Sequence, residues 1–87
     1  MTAQGEYKRL KRRLTYRTNR LKRTTARLRL DPNSFVKREL VVFDANQITK
    51  EADYAERIFE DVGFPDLWRR WVVAKKDAER LIQLHTH

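Results

Sequence analysis

EYKRLKRRLTYRTNRLKRTTARLRL, residues 6–30, contains no glycine or proline and spaces Tyr7, Leu14, Leu21 and Leu28 by seven. Leu10 falls on the same side of a helical wheel, so the pattern predicts one long helix with a narrow apolar stripe. At 1.5 Å per residue that helix would be about 38 Å long. The companion positions, which a two-stranded coiled coil fills with apolar side chains, hold Arg17 and Thr24, so the seam is only half built. Two placements fit this stripe. Either it packs on the rest of the same chain, or Leu14, Leu21 and Leu28 meet a second copy or another protein.

The remaining directions around this helix are basic. Residues 1–30 carry eleven Lys or Arg and one acid, Glu6, a formal +10, whereas residues 31–87 carry nine bases and eleven acids, a formal −2. A solvated helix face ordinarily mixes both signs at i,i+4. No acid interrupts the bases between Lys8 and Arg29. Such a block favours an anionic partner with repeated charges, and nucleic acid is the commonest. Thr15, Thr18, Thr24 and Thr25 add hydroxyls of the kind that donate to phosphate oxygens. The acidic segment 49–62 holds Glu51, Asp53, Glu56, Glu60 and Asp61 against Lys50 and Arg57, a formal −3. It can clamp the basic helix, but it cancels less than a third of the charge.

Outward from the basic segment, Asp31-Pro32-Asn33-Ser34 is the clearest break: turn and N-cap residues around a proline that ends the preceding helix. Residues 34–43 place Phe35, Val36, Leu40 and Phe43 at helical spacing, although Leu40 to Phe43 alone would suit a short buried strand. Asp44 to Gln47 reads as a loop. Thr49 then offers an N-cap for a helix over 49–62, with an apolar face of Ile48, Ala52, Ala55, Ile58, Phe59 and Val62, and Gly63 stands where a helix C-cap is expected. Phe64 and Pro65 connect to a last helix over 67–84, capped by Asp66, whose apolar face holds Leu67, Trp71, Ala74, Ala78, Leu81 and Ile82. So short a connector predicts a tight hairpin or a near-perpendicular corner. Phe59, four positions before Gly63, is too large for a helix-turn-helix.

The expected fold is all-α: a small single domain, residues 1–87, of three or four helices, with a long basic N-terminal helix (6–30) followed by a helical body (34–84) that includes a hairpin. Eighty-seven residues is near the lower limit for a self-sufficient core. Without cysteine there is neither a disulfide nor a thiolate metal site, a composition that suits a reducing compartment, cytoplasmic or nucleoid-associated. The longest apolar run, Leu40 to Phe43, is far short of a membrane span. The two histidines, His85 and His87, sit at the terminus, and the carboxylates Asp44, Glu51 and Asp53 suit helix capping better than a metal. No cofactor and no enzymatic activity are expected.

The function expected is binding of DNA or RNA phosphates through the basic helix. The residues expected to carry it are Lys8, Arg9, Arg12, Arg13, Arg17, Arg20, Arg23 and Arg27, with a second, weaker anion surface at Arg69 and Arg70. Trp68 and Trp71, one turn apart with those arginines between them, fit either a docking platform or core, and the core reading suits Trp71. The alternative function is a helical protein–protein module that binds an acidic partner or self-associates through Leu14, Leu21 and Leu28, with Trp68 at the interface.

Overall fold

A single turn at Asp31–Ser34 separates the first two helices. Asp31 N–H donates to Leu28 O and Ser34 N–H to Asp31 O, both at 3.1 Å, and Ser34 Oγ accepts from Lys37 N–H at 3.2 Å as the N-cap of the next helix. The computed structural model describes residues 3–86, which form α1 (Ala3–Leu30), α2 (Phe35–Val62) and α3 (Pro65–His85), with no strand among the described residues. His87 and the side chains of residues 60–62 lie outside the described set, and with them the expectations placed on Val62, Glu60 and Asp61. No helix among the described residues is long and apolar enough to cross a membrane.

The expected loop at 44–47 is not there. One helix runs through it, and Thr49 is a mid-helix residue whose hydroxyl donates to Asn46 O at 2.8 Å. The reason is a seam that alternates by four and three: Val41, Ala45, Ile48, Ala52, Ala55 and Phe59, each at most 7 % exposed. That is coiled-coil spacing, and it carries the apolar face of α2 straight across the polar stretch. The strand alternative at 40–43 disappears with the loop.

Two apolar clusters set the topology. Leu10 and Leu14 meet Ala52, Ala55 and Phe59 of α2 and Leu67 and Trp71 of α3 at one end. Leu21 and Leu28 meet Val41, Ala45 and Ile48 of α2 and Ala78 of α3 at the other. The helices therefore run up, down and up, with α2 in the middle packed along both neighbours, in a bundle of 45 × 20 × 18 Å. Alanine at three of six seam positions lets the neighbours approach α2 closely. The α2–α3 connection is a hairpin, not a corner.

The hairpin turn depends on backbone as much as on packing. Gly63, at φ +94° and ψ −111°, donates its N–H to Phe59 O at 3.1 Å, a conformation that side chains disfavour. Phe64 follows in the left-handed region at φ 47° and takes the N-cap place expected of Asp66, which instead sits in the first turn behind Pro65. Ring contacts offset the strain at Phe64: its ring centroid lies 4.9 Å from that of Tyr7 and 6.4 Å from that of Phe59. The Tyr7 contact also ties down the start of α1, which begins at Ala3, ahead of the expected residue 6.

Candidate nucleic-acid interface

The leucine stripe fixes which side of α1 faces solvent. Leu10, Leu14, Leu21 and Leu28 are 2, 3, 8 and 6 % exposed, all inside the chain's own core, so Leu14, Leu21 and Leu28 offer no surface to a second copy while the bundle is packed. Trp71 is fully buried, and Trp68 is half-buried with its ring 6.0 Å from Phe59. Neither indole stands free as a platform.

The two polar positions in the α1 heptad serve the contact with α2. Thr24, 6 % exposed, donates its hydroxyl to Leu21 O at 3.1 Å on its own helix. Arg17 donates from Nε to Glu51 Oε1 at 3.0 Å, and Arg13 donates from Nη2 to the same oxygen. Just under one turn beyond Arg17, Arg20 Nε donates to Asp44 Oδ1 at 3.1 Å, with the Asp44 side chain only 2 % exposed and that of Arg20 42 %. The hydrogen bond to Asp44, then the attraction of the same carboxylate and of Tyr16, holds the Arg20 guanidinium above its ordinary pKa. Arg9 donates to Glu6 at 3.2 Å and to the Tyr54 hydroxyl at 2.6 Å. Partial desolvation opposes its charge, but Glu6 and Tyr54 outweigh it and the pKa is raised.

Arg9, Arg13, Arg17 and Arg20 are thus engaged along the α1–α2 face. Of the eleven bases in α1, seven remain: Lys8, Lys11, Arg12, Lys22, Arg23, Arg27 and Arg29, all exposed and without an ion pair among the described residues. They form two groups, one ending at Arg12 and one beginning at Lys22, about 15 Å apart along the axis, with Thr15 and Asn19 exposed between them. Glu6, the only acid of α1, is buried. The threonines are less free than their sequence suggests: Thr15 and Thr18 donate to Lys11 O and Leu14 O at 3.2 and 2.8 Å.

On α3, Arg69 and Arg70 are exposed and line the same depression as Lys22 of α1. Arg69 has only a loose approach to Asp66, 4.0 Å between groups 79 and 97 % exposed. The fold therefore brings Arg69 and Arg70 beside the second basic group, while Lys8 and Arg12 lie toward the other end. Sequence reasoning includes Glu51 in an acidic segment able to clamp the basic helix but gives Asp44 no such part. Their spacing of seven, in step with the α2 seam, was the available signal. Nothing local in the sequence marks out Lys22, Arg29 and Arg80, because their shared face depends on where α3 packs. No known family model, curated protein or solved structure matches the chain, so these residues carry the functional reading by themselves.

Proposed function

We propose that this chain is a non-enzymatic nucleic-acid-binding protein that holds DNA or RNA phosphates on the outer face of α1. One observation carries the reading: after every intrachain pair of α1 is made, seven exposed cations remain on a face that presents no carboxylate of its own helix. A rigid helix with cations along its solvent side suits repeated phosphates, and a surface of this kind positions a nucleic acid without reading its bases. Lys8, Arg12, Arg23 and Arg27 are the primary contacts, with Lys11, Lys22 and Arg29 flanking them. Arg69 and Arg70 extend the positive surface onto α3. The role belongs in the cytoplasm or on the nucleoid.

Fluorescence anisotropy with duplex DNA, duplex RNA and single strands over a salt series tests the reading. With about five phosphates neutralised, log Kd against log salt should have a slope of magnitude about 4 to 5. A slope near zero for every oligonucleotide, together with tight association with an acidic protein, would favour the interaction-module reading instead.

A further inference from the structure

We propose that the groove between α1 and α3 is a docking site for an acidic amphipathic helix of a partner protein, which would complete a four-helix bundle. Both α1 and α3 pack along α2 but touch each other little. Where they diverge, a cavity of about 450 Å³ lined by Leu21, Ala74 and Leu81 reaches down to Ile48 of the central helix. A second cavity of about 430 Å³, which shares Thr18, Lys22, Ala74 and Asp77 with the first, carries the depression on to Leu14 and Val73. The two are one continuous groove with an apolar floor. Ala74 leaves it open where a longer side chain on α3 would reach across.

Length and charge define the occupant. On α1 the groove runs from Leu14 to Arg29, about 22 Å or four helical turns. Its rims carry Lys22 and Arg29 from α1 and Arg69, Arg70 and Arg80 from α3 against the single carboxylate of Asp77. An apolar ridge on the incoming helix would cover the floor, and carboxylates flanking that ridge would meet the rims, the helix-in-groove mode of recognition. Val73, 59 % exposed at the α3 rim, gains cover at the same time. A nucleic-acid backbone could satisfy the rims, but it has no apolar ridge for Val73, Ala74 and Leu81, the accessible apolar side chains of the groove. Lys22, Arg29, Arg69 and Arg70 are shared with the proposed nucleic-acid surface, whereas Lys8, Arg12 and Arg23 on the outer face of α1 stay accessible, so this inference does not rest on the nucleic-acid reading.

The test uses the full chain and a labelled synthetic peptide of about five turns, with leucines at heptad a and d positions and glutamates beside them, against a permuted peptide of identical composition without the stripe. The striped peptide should bind at least about tenfold more tightly than the permuted one, with amide shifts concentrated at Leu21, Ala74 and Leu81. Ala74→Phe, which fills the floor, should weaken the striped peptide about tenfold or more and leave oligonucleotide affinity unchanged. Ala74 is partly in the core, so Arg80→Glu, at an 80 % exposed side chain, supplies a variant that leaves packing untouched; it should weaken the striped peptide several-fold at low salt. Equal binding of the two peptides, striped-peptide affinity unaffected by either variant, or loss of oligonucleotide rather than peptide binding in Ala74→Phe would each overturn the proposal.

Discussion

Replacing Arg12, Arg23 and Arg27 together by Gln separates the arginines that hold the fold from those that face outward. All three side chains are exposed and have no ion pair among the described residues, so the thermal midpoint should move little. Each phosphate contact contributes about 0.9 to the salt slope, which corresponds to about eightfold in affinity between 1 M and 0.1 M monovalent salt. Losing three contacts should therefore reduce the slope by about 2.7 and the affinity at 0.1 M by about 500-fold. The comparison is Arg13→Gln with Arg17→Gln, which removes both partners of Glu51, a carboxylate side chain only 19 % exposed. For pairs this close to the surface the expected loss is about 1 kcal/mol in all, a drop of several degrees for a domain of this size, with a small change in slope. Anisotropy titrations at four or more salt concentrations and thermal melts followed by circular dichroism measure the two effects separately. If the Arg13/Arg17 variant flattens the slope as much as the triple variant does, or if the triple variant leaves it unchanged, the partition of α1 into fold-holding and outward arginines is wrong.

Leu14→Ala and Leu21→Ala should each lower stability by about 2 to 5 kcal/mol in urea titrations, and sedimentation should show no loss of a dimer, because both leucines are buried within the chain. Trp71→Ala should cost about 3 to 5 kcal/mol. Trp71→Phe should cost much less, since it also removes an indole N–H that is buried without a hydrogen-bond partner among the described residues; equal losses would show that the N–H is satisfied. Gly63→Ala should destabilise by about 1 to 3 kcal/mol although a Cβ there would meet nothing within 4 Å, so a neutral result would refute a backbone origin. The double variant Asp44→Asn with Glu51→Gln should lower the thermal midpoint and at the same time raise oligonucleotide affinity at low salt. A fall in both would place the two carboxylates in the binding surface.

The basic helix could be read from its leucines, and the first turn from Asp31, Pro32 and Ser34, because each rests on local chemistry. The uninterrupted α2 could not be read the same way. Asp44, Asn46 and Gln47 look like a loop to any local reading, which treats polar side chains as solvent-facing. Asp44 faces inward because its partner, Arg20, stands 24 positions away, and only tertiary packing brings them together. The same limit applied at Thr15 and Thr18, whose hydroxyls turn back onto their own helix, and at Phe64, where ring contacts made a left-handed N-cap acceptable and displaced the expected Asp66. Charge was legible in amount but not in direction: the rotation of α1 set which cations face out, and the position of α3 put Arg69 and Arg70 beside Lys22.

Asp44 and Glu51 link these two halves of the problem. Four buried leucines set the rotation of α1, since turning it by one residue, about 100°, would withdraw Leu10, Leu14, Leu21 and Leu28 from the core as well as exchange one set of arginines for another. Two carboxylates seven residues apart on α2 reinforce that rotation, because each binds arginine on the side of α1 adjacent to the stripe. They draw Arg13, Arg17 and Arg20 inward and so leave Lys8, Arg12, Arg23 and Arg27 facing outward. The acids that neutralise part of the basic helix therefore also support the orientation that presents the rest of it to solvent. A stronger acidic complement on α2 would hold the bundle more tightly and leave fewer cations for a partner, whereas a weaker one would leave the leucine stripe alone to hold the helix. Two well-placed carboxylates against eleven bases thus strengthen the orientation set by the leucines and leave seven of the bases facing solvent.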